Sequence, residues 1–167
     1  MLAFLRSKFS ILTMITLVIA ACSSNPKNSQ DGASLDGAIN DGLTLELNGD
    51  SDSGKAGPLQ TVYFDFDSSS LKSKTRAVLE ANALFLKEND NIDVQIEGHA
   101  DERGGIQYNL ALGERRARSV KDYLVAAGVS SSRITIVSFG KERPVEFGHD
   151  ESAWAKNRRA NFVITAK

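Results

Sequence analysis

The feature that most constrains this chain is a hydrophobic period that switches from two to 3.6 and back along residues 61–167. Thr61-Val62-Tyr63-Phe64-Asp65-Phe66-Asp67 alternates with period two, which predicts a strand turning Val62, Phe64 and Phe66 toward a core. Ser68-Ser69-Ser70 supplies N-cap candidates for a helix over 71–87, with a stripe of Leu71, Thr75, Val78, Ala81 or Asn82, and Phe85. After an Asn89-Asp90-Asn91 turn, residues 92–97 alternate again and Gly98 ends them. A second helix over 107–127 carries Leu112 or Gly113, Ala117, Val120 and Leu124 on one face and stops at Gly128. Strands over 134–139 and 159–165 follow, separated by a loop with Pro144 and one or two helical turns over 151–157. The expected fold is α/β (α+β), with two main helices on one face of a four-stranded mixed sheet. The pattern leaves the strand order open, and it contains no internal repeat.

The first sixty residues obey different rules. Arg6 and Lys8 precede a mostly apolar run over 9–21, and no acidic residue occurs before Asp31. That run falls short of the roughly 20 apolar residues that span a bilayer and has the layout of a removable export signal. Cys22, the single cysteine, follows Ala20-Ala21. Residues 22–60 are rich in Ser, Asn, Asp and Gly and are expected to be a flexible acidic tether, with too little apolar surface to offset chain entropy. Its coil reach is about 35 Å. Leu43-Thr44-Leu45-Glu46-Leu47 is its least polar part, a transient strand, a docking motif or plain linker. The expected organisation is therefore 1–21 signal, 22–60 tether and 61–167 folded domain.

Charge excludes some functions. The chain has 20 basic and 21 acidic side chains, and without the signal and tether the domain over 61–167 is close to neutral. Nucleic-acid binding, which needs a basic excess, is not expected. One cysteine cannot close an internal disulfide, and with only two histidines a structural zinc site is not expected either.

The segment from Gly98-His99-Ala100-Asp101 through Gly113-Glu114-Arg115-Arg116-Ala117 carries the chemistry. It lies at a strand end and helix start, where free backbone N–H groups favour an anionic ligand group. Asp101 can accept from an ammonium, and Arg116, seven residues after Asn109, falls on nearly the same helix face. A carboxylate and a guanidinium fork in one pocket form a receptor for the zwitterionic end of an amino acid.

These motifs, together with Tyr63-Phe64-Asp65-Phe66-Asp67, Tyr108-Asn109, Ser138-Phe139-Gly140-Lys141-Glu142-Arg143-Pro144 and Lys156-Asn157-Arg158-Arg159-Ala160, resemble the OmpA-like peptidoglycan-binding domain. The apolar run, Ala20-Ala21 and Cys22 resemble a bacterial lipoprotein signal, which points to the lipid-anchored, peptidoglycan-associated branch of that family. The resemblance implies lipidation of Cys22, and Ser23 after it favours the outer membrane. It also implies non-covalent binding of peptidoglycan through meso-diaminopimelate, with Asp101 and Arg116 as the main contacts. Asn109, Phe66, Asp67 and Arg158 match further ligand-binding positions, and Trp154 stands where an aromatic is usual. No cofactor, metal or catalytic residue is implied. The implied partners are the outer membrane, peptidoglycan, a TolB-like periplasmic β-propeller, other Tol proteins and OmpA-like proteins.

Other readings stand beside this one. Arg115, Arg116 and Arg118 could form a solvated helix face, and His99 a hydrogen-bonded structural residue. A wall hydrolase could be built from Asp101 with Glu102 or Asp65, but Arg116 beside Asp101 would lower its pKa, against acid catalysis. A periplasmic interaction hub, with wall binding secondary, is the remaining alternative.

Overall fold

The structure is a computed structural model and describes residues 44–167. The export signal, Cys22 and the tether as far as residue 43 lie outside the described residues. The elements are β1 (Val62–Tyr63), α1 (Ser73–Glu88), β2 (Asp93–His99), α2 (Ile106–Ala126), β3 (Ile134–Gly140), α3 (Glu151–Asn157) and β4 (Arg159–Ala166), with a 3-10 turn at Ser131–Arg133. The sheet runs β1-β4-β2-β3; β2 and β3 are parallel, and β4 is antiparallel to β1 and β2. As the apolar periodicity requires, Leu79 and Leu86 of α1 and Ala117, Val120 and Leu124 of α2 are buried in one core cluster with Ile96 and Phe162 of the sheet.

Local chemistry explains the helix ends. After α2, the Gly128 N–H bonds the Val125 carbonyl and the Val129 N–H the Leu124 carbonyl, the two bonds of a Schellman stop, which Gly128 permits with φ +100°. The start of α1 differs from expectation: Lys72 is its N-cap without a side-chain bond, and Ser68 Oγ instead accepts from the Ser70 N–H. The buried face of α1 is also turned, to Thr75, Leu79, Asn82, Ala83 and Leu86. Asn82 is drawn inward because its amide bonds both the N–H and the carbonyl of Gln60, at 3.0 and 2.9 Å.

The first strand is shorter than its alternation suggested. Only Val62 and Tyr63 pair with β4. The chain then leaves the sheet, Asp67 takes a left-handed φ of 52°, and Phe66 is 58% exposed instead of facing the core.

The largest departure concerns 44–60, expected to be tether. These residues form a strap on the domain. Leu45 bridges Ala56, Asp50 bridges Val163, the Ser51 N–H donates to the Phe162 carbonyl and the Ile164 N–H to the Gly49 carbonyl. Ala56 and Leu59 are core residues. The physical reason lies in β4: the short β1 covers only its start, and residues 48–51 satisfy the edge beyond. A few apolar side chains in an otherwise polar segment are enough once an open edge receives its backbone.

Candidate functional site

The site begins with two glycines. A Cβ on Gly98 would lie 1.9 Å from the Gly113 carbonyl oxygen, and one on Gly113 would lie 2.3 Å from Ser138 Oγ. Only glycines allow α2 to cross β2 this closely, which brings Asn109 and Arg116 to the end of β2 where Asp101 follows. There Phe66, Asp67, Asp101, Asn109 and Arg116 line one cavity of about 190 Å³, with Ala100 and Leu112 as apolar wall and Arg103 and Tyr108 beside them. Arg158 lies behind Asp101, with its Nη1 3.3 Å from the carboxylate.

Arg116 is fully buried, whereas Arg115 and Arg118 are exposed and Arg118 pairs with Glu114. The solvated-face reading therefore holds for its neighbours and fails for Arg116. Its guanidinium donates to three backbone carbonyls: Ser68 at 2.9 Å, His99 at 2.7 Å and Asp65 at 2.9 Å. Loss of water pulls its pKa down to about 10, opposed by Asp101 and Asp67, so it stays cationic at neutral pH. An expected two-pronged grip on a carboxylate must use the N–H groups left over, because a guanidinium has five.

Asp101 is 4% exposed. Burial pushes its pKa up, but hydrogen bonds from Arg103 and Arg158 outweigh that and hold the carboxyl below its ordinary range. Arg158 also donates to the Phe64 carbonyl and to Glu151, tying α3 to the pocket wall. Asn109 donates to the Arg103 carbonyl at 2.8 Å, which holds the loop against α2. Tyr108 donates its hydroxyl to Asp67 at the mouth.

Arg103 stands in the Gly98–Gly104 segment, where the sequence assigns it no role. It bonds Asp101 through Nε and Nη2, and its guanidinium lies 4.0 Å from the ring centres of both Phe66 and Trp154. No local pattern links residues so far apart in the chain. Glu102 is occupied on the rim, accepting from the Trp154 indole N–H and bonding His149, each at 2.8 Å. Asp65 turns its carboxylate to Lys72.

His99 departs from the expected hydrogen-bonded residue. It is buried on the sheet face opposite the helices, stacked on Phe139, and neither ring nitrogen has a hydrogen-bond partner among the described residues. Glu97 lies 3.7 Å from its Nε2, and burial holds its pKa below the usual value.

Comparison with known proteins shows the family. The model of the OmpA family matches residues 63–158. The peptidoglycan-associated lipoprotein of Legionella pneumophila is 41% identical over 167 residues, covering 95% of each chain. That of Pseudomonas putida is 43% identical, covering 93% of this chain and 95% of its own. A crystal structure of the peptidoglycan-associated lipoprotein from Burkholderia pseudomallei is similar with a TM-score of 0.62 and 46% identity, over 65% of this chain and 93% of that one.

Proposed function

The chain belongs to the OmpA family, and on that premise we propose that it is an outer-membrane lipoprotein that binds peptidoglycan non-covalently through the meso-diaminopimelate of the stem peptide. It ties the outer membrane to the cell wall as part of the Tol-Pal system, serving envelope integrity and membrane constriction at division. The observation that carries this reading is the meeting of Asp101, Arg116, Asn109, Phe66 and Asp67 on one small cavity with a buried charge of each sign. Such a cavity complements a ligand end bearing an ammonium and a carboxylate. Lipidation of Cys22 supplies the membrane attachment. With 44–60 taken up by the domain, residues 22–43 are what lies between Cys22 and the domain.

The site is read as binding and not hydrolytic. Asp101 and Glu102 both sit below the ordinary carboxylate range, Asp101 by its arginines and Glu102 by His149 and Trp154, so neither is poised as a general acid. The exposed side chains Phe66 and Tyr108 at the mouth also suit a protein partner. A TolB-like propeller docking there would exclude the wall.

The test is retention of the full chain, in detergent, on isolated sacculi. Asp101→Asn is expected to weaken retention at least about tenfold through loss of a charge-assisted bond. Acetylating the free diaminopimelate amine of the sacculi should do the same. Unchanged retention in both arms, with the variant folded, overturns the assignment.

A further inference from the structure

Asp101 has no room for an external ammonium as it stands. Its Oδ1 accepts from the Arg103 backbone N–H at 3.1 Å and from Arg103 Nε at 3.2 Å; its Oδ2 accepts from Arg103 Nη2 at 2.6 Å and from Arg158 Nη1 at 3.3 Å. An ionised carboxylate offers about four lone-pair sites, and all are engaged. The Arg103 guanidinium meanwhile fills the space between Phe66 and Trp154, with Glu151 3.9 Å away. Two aromatic faces with carboxylates at their edge receive cations in general.

The three arginines around Asp101 are held differently. Arg116 and Arg158 are buried and donate to backbone carbonyls, which no ligand can take over. The side chain of Arg103 is 31% exposed, and its polar partners are carboxylates and its flanks are rings, all of which can receive another cation.

We infer that the Phe66, Trp154 and Asp101 cage is a cation receptor that Arg103 plugs from within, and that the ligand's ammonium enters by displacing the Arg103 guanidinium. This rests on the stem-peptide reading above and deepens it. The exchange swaps one cation for another, so the buried Asp101 charge is never left unpaired. Arg103 is then a specificity residue, because a stem end without a cation cannot replace it.

The experiment uses the full chain in detergent, as wild type, Arg103→Ala and Arg103→Met. Trp154 is the sole tryptophan, so its emission reports the cage directly. Millimolar methylguanidinium is expected to shift that emission in both variants and to leave the wild type unchanged. A soluble stem peptide carrying meso-diaminopimelate should bind the variants tighter by about tenfold, because the plugged state lowers the apparent affinity of the wild type. In the wild type, the Arg103 Nε–H resonance should lose its bound shift when that peptide is added, a measurement independent of any variant's folding. The inference is overturned if the variants bind the peptide equally or more weakly than the wild type, if methylguanidinium acts alike on all three, or if the Arg103 resonance does not move while peptide binds. If no form binds the stem peptide or sacculi, the stem-peptide reading itself fails, and the methylguanidinium arm still decides whether the cage receives cations.

Discussion

Two ionic clusters bury charge in this domain, and they are built on different terms. At the pocket, Asp101, Arg103, Arg116 and Arg158 are cross-bonded to one another or to backbone carbonyls, and the cluster opens through an aromatic mouth. On the opposite sheet face, Arg159 pairs with Asp52 at 2.7 Å, and Asn161 accepts from the backbone N–H groups of Ser51 and Asp52. That second cluster fastens the strap, yet the His99 ring nitrogens and Arg159 Nη1 have no hydrogen-bond partner among the described residues. Buried charge held by backbone shapes a pocket floor, whereas buried charge held by another segment's side chains clips that segment in place.

The sharpest test of this contrast is Arg116→Ala. It removes three bonds to backbone carbonyls and a buried cation of the pocket lining, so a loss of about 3–5 kcal/mol is expected, with sacculus retention lost as well. An unshifted urea midpoint would show that the floor does not depend on it. Leu59→Ala comes next: removing a core side chain of the strap should cost about 2–4 kcal/mol while retention on sacculi persists. Asp52→Ala should cost about 1–3 kcal/mol, because it leaves the buried Arg159 without its carboxylate. Weakened wall binding in either strap variant, at temperatures where it is folded, would mean that the two clusters are coupled through the sheet.

The smallest effect is a pH dependence. His99 has a folded pKa held below its unfolded value by burial, so between the two values the unfolded chain binds the extra proton. Stability should therefore fall as pH drops from neutrality through about 6.5 and toward the lower folded value. His99→Phe, which keeps an aromatic on Phe139, should flatten that slope in denaturant titrations between pH 7 and 5. A slope equal to wild type would assign it to another group. Asp101 acts at lower pH: its carboxyl is depressed in the fold, so its contribution is present above the unfolded value and fades as pH falls toward the folded one.

Much of this was legible in the chain. Alternation and 3.6 periodicity located every strand and helix of the sheet and its cover, because those periods follow from backbone geometry alone. The zwitterion argument selected Asp101 and Arg116, and both line the cavity. What escaped was non-local. Phe66 reads as a core residue by alternation, but the chain leaves the sheet after Tyr63, and no neighbouring residue type announces that. Asn82 reads as a marginal helix position until Gln60 is seen to accept it. Residues 44–60 read as tether on average composition, because the β4 edge that receives them lies about a hundred residues further along.

The sequence by itself determined where the periodic strands and helices of the domain lie, and the pair of opposite charges on which the binding reading rests. Only the tertiary structure decided how those charges are spent. Arg116 is bound to backbone, Asp101 is saturated by Arg103, and Arg103 is stacked between Phe66 and Trp154. The reason is physical: periodicity records which face of an element loses water, whereas the partner of a buried charge is set by whichever distant segment folding brings within hydrogen-bond reach.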